Sequence, residues 1–184
     1  MATKNLSANA TYVERGYGQV EPNHLSAQRT AQIYAQLPAN KNITVLENGM
    51  FVKYDYLNKE VNFTGDGEWM LVYNEVKIYD AKEVEHDFAM IKENYGGTIY
   101  SAYPENMAEG TTMVPRVFKT NIGDIFTTNT IAETELAEGD ELVVGDNGYL
   151  TKTAGDNAGD MKWQVVKVYT MPDMQKGVKI MRIA

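Results

Sequence analysis

The chain of 184 residues contains no cysteine, which excludes disulfide bonds, thiolate metal sites and cysteine nucleophiles. Only two histidines are present, His24 and His86, so few imidazole side chains are available for a metal centre or a catalytic triad. No segment approaches 18 consecutive apolar residues, and residues 1–7 lack the apolar stretch of a signal peptide. We therefore expect neither a membrane span nor a secretion signal.

Positive charge is also scarce. The chain has 17 basic and 25 acidic residues, which gives a net charge of −8. A phosphate backbone repels such a chain unless its charges are strongly segregated. Residues 1–40 carry three basic residues against two acidic ones, which is too small an excess for a nucleic-acid arm. We therefore expect no nucleic-acid partner.

Acidic residues are the main candidates for chemistry. A glycosidase needs two carboxylates held at a fixed separation in a cleft, whereas acidic runs usually form a solvated face. The 156–160 loop has oxygens suited to Ca²⁺ but lacks the spacing of an EF-hand. No serine lies in a Gly-x-Ser-x-Gly motif. We expect no enzyme activity, no cofactor and no metal site. The acidic sets are Glu133/Glu135, Glu138/Asp140/Glu141 and Asp156/Asp160.

Short runs of β-branched and aromatic residues, separated by turn residues, predict a mainly β fold. The Asn-Gly pairs at 48–49 and 147–148 predict tight hairpins, because a type I′ turn needs positive φ at both central residues. Gly-Asp pairs at 123–124 and 139–140 mark further turns. The strand-like runs are 43–46, 50–54, 61–64, 69–73, 76–79, 112–119, 123–127, 138–144, 147–150, 163–169 and 177–183.

One segment has the pattern of a helix. Asp80 and Glu83 have the spacing of a capping box, and Gly96-Gly97 would end the helix. The sequence therefore predicts an inserted helix over 80–94. A second helix is predicted over 25–36, stopped by Pro38. The apolar stripe of the first helix consists of Val84, Phe88 and Ile91.

The chain divides into three parts by composition. Residues 1–40 are polar, with sparse large apolar side chains, and we predict an extended N-terminal arm that binds a partner or packs on the body. Residues 41–119 form a β-rich lobe that carries the helix, and 120–184 form a small β-barrel-like lobe. The body is thus predicted to form one or two small lobes that resemble β-sandwiches or β-barrels. The alternative interpretation is that 41–184 is one continuous domain.

The layout also resembles a known family. The features are the polar arm, Leu-Glu-Asn-Gly-Met-Phe-Val-Lys-Tyr-Asp at 46–55, the Gly-Asp segments at 123–129 and 138–144, and Gly-Tyr-Leu at 148–150. This pattern resembles the decoration (auxiliary or cement) proteins of tailed-bacteriophage capsids. The resemblance implies a structural virion protein, made in the host cytoplasm, which lies on the outer capsid surface. Such a protein stabilises the shell by bridging major capsid subunits and self-associates, with a trimer as one option.

Tyrosine and arginine dominate interface energetics, so the arm's candidate partner-binding residues are Tyr12, Arg15, Tyr17, Arg29 and Tyr34. Deletion of residues 1–38 is expected to leave the β body folded and to weaken attachment. The alternative function is a glycan-binding module of a phage tail or surface appendage. It is motivated by 12 tyrosines together with Trp69 and Trp163, and it predicts that Trp163→Ala abolishes glycan binding.

Overall fold

The computed structural model describes residues 17–25, 32–74, 77–79, 85–87, 89–91, 113–171 and 174–184. Within these ranges the chain is mainly β, as predicted, and contains no helix. The strands are β1 (Val20–His24), β2 (Ile33–Tyr34), β3 (Val45–Glu47), β4 (Phe51–Asp55), β5 (Glu60–Asn62), β6 (Trp69–Val72), β7 (Lys77–Tyr79), β8 (Glu85–Asp87), β9 (Ala89–Ile91), β10 (Val117–Phe118), β11 (Ile125–Thr128), β12 (Glu141–Val144), β13 (Leu150–Thr151), β14 (Lys162–Thr170) and β15 (Lys176–Arg182).

These strands form two main antiparallel sheets. Sheet 1 has the order β1-β11-β15-β14-β12-β13, and its longest pairing joins β14 to β15. Sheet 2 has the order β2-β10-β6-β4-β5. Two smaller pairs, β3 with β9 and β7 with β8, complete the described strands.

Sheet 2 is buried on both faces. Alternate residues of β6 point in opposite directions, so Trp69 and Leu71 enter one core while Met70 and Val72 enter the other. The first core lies between the two sheets, where Phe126, Trp163 and other side chains of sheet 1 meet Phe51 and Phe118 of sheet 2. The second core covers the opposite face of sheet 2 and includes Leu46, Met90 and Met113. Burial on both faces explains why β6 reads as a continuous apolar run.

The inserted helix predicted over 80–94 is wrong where that segment is described. Glu85–Asp87 forms β8 and pairs with β7, and Ala89–Ile91 forms β9 and pairs with β3. The apolar stripe fits helical spacing, but backbone pairing with the nearby β7 and with the distant β3, which apolar spacing does not report, decides the conformation. The other residues of 80–94 lie outside the described ranges. The helix predicted over 25–36 is likewise wrong at Ile33–Tyr34, which is β2.

The two Asn-Gly pairs behave differently. The 147–148 pair lies between β12 and β13, which pair with each other, so this predicted hairpin is confirmed. Its predicted type I′ turn is wrong, because Gly148 has a φ of +80° but Asn147 does not have positive φ. The 48–49 pair also makes a turn, with φ of +93° at Gly49. Its flanking strands, however, belong to different sheets: β3 pairs with β9, and β4 pairs with β5 and β6. The hairpin predicted at 48–49 is therefore wrong, because the turn redirects the chain from one layer to another.

The described parts of the predicted arm lie on the body. β1 is an edge strand of sheet 1, β2 is an edge strand of sheet 2, and Val20 is 3% exposed in the first core. Residues from both predicted lobes also meet in that core, with Phe51 from one side of residue 120 and Trp163 from the other.

Candidate interaction surface

Two of the five predicted partner-binding residues fall within the described ranges. Tyr17 is partly buried at the start of the described chain, and Tyr34 lies in β2 against the second core. Tyr12, Arg15 and Arg29 lie outside the described residues. Tyr17 therefore precedes β1 of sheet 1, whereas Tyr34 lies in β2 of sheet 2, and the role of all five residues stays a prediction.

A buried asparagine holds the chain where the described part begins. The Asn129 side chain accepts a hydrogen bond from the Gln19 N–H at 2.8 Å and donates one to the Tyr17 carbonyl oxygen at 3.4 Å. Gly18 lies between them, and a Cβ there would overlap with the Thr130 hydroxyl. These bonds fix the backbone entering β1, because Asn129 is fully buried and has little freedom to move.

Three tyrosines form a row that runs from the second core to the surface. The ring centroids of Tyr34 and Tyr54 are 5.3 Å apart, and those of Tyr54 and Tyr56 are 5.4 Å apart. The Tyr54 hydroxyl accepts hydrogen bonds from the N–H groups of Gln36 and Leu37, at 3.0 and 3.2 Å. Tyr54 is therefore fixed, and it positions the ring of Tyr56, which is 65% exposed.

The turn after β4 presents this row together with a leucine. The Asp55 carboxylate accepts hydrogen bonds from the Asn58 N–H at 2.9 Å, from the Asn58 side-chain amide at 2.8 Å and from the Asn62 amide at 3.2 Å. These bonds, with that from the Asn58 backbone strongest, lower the pKa of Asp55. Leu57 lies within the closed turn and is 89% exposed. The turn is thus pre-organised while Tyr56 and Leu57 remain in solvent. We call Tyr56, Leu57 and the adjoining Tyr34 the apolar tip.

Both tryptophans belong to the core. Trp163 is fully buried, with ring centroids 5.0 Å from Phe126 and 5.6 Å from Phe51. Trp69 is 2% exposed, and its indole N–H donates to the Ala158 carbonyl oxygen at 2.8 Å. Neither ring offers a face on which a sugar can stack. The Trp163→Ala test would report core damage, so it does not discriminate a glycan-binding module.

Two of the acidic residues named from the sequence serve the loops around them: the Glu133 carboxylate accepts hydrogen bonds from the Thr151 hydroxyl at 2.8 Å and the Lys152 N–H at 3.0 Å, and the Asp140 carboxylate accepts one from the Ala137 N–H at 2.8 Å. A third carboxylate, which the sequence analysis did not name, does the same. The Asp146 carboxylate accepts hydrogen bonds from the N–H groups of Asp156 at 3.3 Å and Asn157 at 2.9 Å, and the Asn157 bond is the first cause of its lowered pKa. Asp146 therefore closes the 156–160 loop. In the described part of the chain, no group of three or more histidine or acidic side chains is arranged to hold a metal ion.

Sequence reasoning selected Tyr34 of the apolar tip but neither Tyr56 nor Leu57. The signal was present, because Asp55 and Asn58 mark a turn and two large apolar residues lie between them. Turn residues are usually polar, so Tyr56-Leu57 at that position could have been singled out. The candidate residues were instead sought in the polar N-terminal segment.

Comparisons with family models, with curated proteins and with solved structures find no match to this chain. Among the residues that the structure describes, no helix has the length and hydrophobicity needed to cross a membrane.

Proposed function

We propose that this chain is a structural virion protein that binds the outside of a tailed-bacteriophage capsid and stabilises it by bridging major capsid subunits. The family resemblance of segments 46–55, 123–129, 138–144 and 148–150 supports this proposal. A net charge of −8 also suits a protein that faces outward, away from packaged DNA.

The observation that carries the proposal is the apolar tip. Large apolar side chains in a rigid turn bind at low entropic cost, because little conformational freedom remains to be lost. Burial of Leu57 alone against a partner would contribute about 1.5–3 kcal/mol, and Tyr56 belongs to a residue type enriched among interface hot spots. A capsid repeats the same contact at every symmetry-related position, so a modest single-site affinity stabilises the whole shell.

The tip also has a polar border. Lys119 follows β10 and lies close enough to Tyr56 and Tyr34 to interact electrostatically with both. Its ammonium group pairs with Glu68 at 2.9 Å. Glu68 contacts Arg182 as well, at 3.1 Å. A rim of paired charges around an apolar centre is the usual composition of a protein interface.

The proposal is tested by co-sedimentation with expanded shells of the phage that encodes the chain. The wild-type protein is expected to pellet with the shells, and a Tyr56→Ser/Leu57→Ser variant is expected to lose most of that binding. Met174→Ser is the matched control, because Met174 is also apolar, 49% exposed and in a turn, but joins β14 to β15. This control should bind as the wild type does.

Two results would count against these statements separately. A wild-type protein that stays in the supernatant would reject the capsid proposal. A double variant that binds as tightly as the wild type would retain the capsid proposal but remove the apolar tip as its contact surface. Circular dichroism of each variant excludes a folding defect as the cause of lost binding.

A further inference from the structure

Two lysines oppose each other on the outer face of sheet 1. Lys167 of β14 lies directly across from Lys179 of β15, and like charges in opposed positions are destabilising. Neither forms an ion pair within the described part of the chain, whereas Lys119, Lys152 and Lys162 each pair with a carboxylate. The sheet therefore keeps an unneutralised positive pair on an otherwise acidic protein.

Tyr169 holds this pair in place. The ammonium groups of Lys167 and Lys179 lie 5.7 and 5.9 Å from the centre of its ring, within reach of a cation–π interaction. The Tyr169 hydroxyl donates to the Glu21 carboxylate at 3.1 Å and lies 2.9 Å from the Thr127 hydroxyl. The ring is thereby fixed to Thr127 of β11 and Glu21 of β1, which continue the cross-strand row beyond Lys179, and both lysines are positioned by it.

An acidic turn lies on the other side of β14. The Gly139 N–H donates to the Val165 carbonyl oxygen, and the Val165 N–H donates to the Asp140 carbonyl oxygen, each at 2.8 Å. This contact places the turn two residues before Lys167 along the strand. Glu138 of this turn and Glu135, two residues before the turn begins at Ala137, are exposed and form no ion pair among the described residues.

Between the two charged groups the strand presents an apolar residue. The register of β14 and β15 shifts between Val165 and Lys167, so Val166 is the extra residue of a β-bulge. Its side chain is 40% exposed. We call Glu135, Glu138, Val166, Lys167 and Lys179 the bipolar patch, because it has one acidic end and one basic end.

We propose that the bipolar patch binds the same patch of a second copy of this chain. A two-fold axis near Val166 would place the acidic end of each copy on the basic end of the other, which is the self-complementarity that an isologous interface requires. The two Val166 side chains would meet at the axis. This proposal does not rest on the capsid proposal. It predicts a dimer, whereas the family resemblance gave a trimer as one option.

Charge complementarity indicates that the partner of the bipolar patch is a second copy of this chain. The patch carries both signs in one row, so a uniformly acidic or basic partner would be repelled at one end. A second copy in two-fold orientation is attracted at both ends. Since the net charge of −8 repels two copies at long range, the attraction must come from these short-range contacts, and salt should weaken it.

Sedimentation equilibrium of the full chain tests the proposal. The wild-type protein is expected to form a dimer that weakens about tenfold or more when NaCl is raised from about 50 mM to about 500 mM. The acidic variant Lys167→Glu/Lys179→Glu and the basic variant Glu135→Lys/Glu138→Lys should each be monomeric. An equimolar mixture of the two variants should recover a dimer, because both ends of the contact then join opposite charges.

The recovery in the mixture separates this interface from a folding defect, since a misfolded variant would not regain partner binding. Lys41→Glu/Lys59→Glu is the control for the acidic variant, because it makes the same change in net charge at two exposed lysines outside the patch. It should leave the dimer intact. A monomeric wild type at low salt, a trimer, or failure of the two variants to combine would overturn the proposal. Binding of a poly-glutamate peptide by a monomeric wild type would also overturn it, in favour of an acidic partner.

Discussion

Deletion of residues 1–38 should strongly destabilise the protein, in contrast to the folded body expected from composition. The deletion removes β1 from the edge of sheet 1 and β2 from the edge of sheet 2. It also removes Val20 from the first core and the Gln19 N–H from the Asn129 side chain. The segment therefore supplies core contacts as well as surface.

The magnitude follows from these contacts. Burial of a valine side chain contributes about 2 kcal/mol, and the loss of a hydrogen-bond partner by a buried polar group costs about 1–3 kcal/mol. The partly buried Tyr34 and Leu37, which pack against the second core, add to the loss. We expect a decrease of at least about 4 kcal/mol, a large fraction of the 5–15 kcal/mol that is typical of a domain.

Urea unfolding followed by tryptophan fluorescence measures this change, because Trp69 and Trp163 are both buried and report on the first core. Deletion of residues 1–16 is the comparison, since it keeps every contact counted above and should lower the urea midpoint less than deletion of residues 1–38 does. Equal urea midpoints for the full chain and the 1–38 deletion would refute the reasoning and show that residues 17–38 are dispensable to the fold.

Three further predictions concern stability. Gly49→Ala should lower the free energy of unfolding in urea by about 2 kcal/mol or more, because Gly49 has a φ of +93° and an added Cβ would overlap with Thr130. Gly123 has a φ of +90° but lies in open space, so Gly123→Ala should lower it by only about 1–2 kcal/mol. Burial, and then the Glu47 carboxylate, raise the pKa of Tyr149 above its ordinary 10.0. The contribution of the neutral phenol to the stability of the fold is therefore complete below pH 10 and is lost at higher pH. Tyr149→Phe should reduce this alkaline loss of stability, and an equal loss in both proteins would contradict the prediction. Hydrogen bonds hold four carboxyl pKa values below the ordinary 3.8 of aspartate or 4.5 of glutamate. The contribution of these four groups to stability should therefore be fully present above the ordinary values and be lost as the pH falls below them. A lower urea midpoint at about pH 3 than at about pH 6 would show this loss. The four carboxyl groups are those of Asp55, Glu133, Asp140 and Asp146.

Local chemistry predicted the turns more reliably than the pairing of strands. The glycines at 123, 139 and 148 have positive φ, as the Gly-Asp and Asn-Gly pairs indicated, because only glycine adopts that conformation at little cost. The same kind of signal at 48–49 gave a turn but not a hairpin. A turn fixes the direction of the chain over four residues, whereas hydrogen bonds with distant residues select the strand beside which it continues.

The candidate surfaces depended on burial, which composition does not report. Trp163 and Tyr56 were both available as binding residues from the sequence, yet Trp163 is fully buried and Tyr56 is 65% exposed. The bipolar patch was equally hidden, because Lys167 and Lys179 come together only when β14 pairs with β15. Such juxtapositions require a register, and the register is set by the whole sheet.

The sequence by itself determined the mainly β character, the positions of several turns and the acidic charge, since each depends on residue type and near neighbours. Tertiary structure alone decided the strand conformation of 89–91, the membership of β1 and β2 in the two sheets, and the exposure of the apolar tip. The physical reason is that backbone pairing and burial join residues far apart in the chain, and their free energy exceeds local preferences when the two disagree.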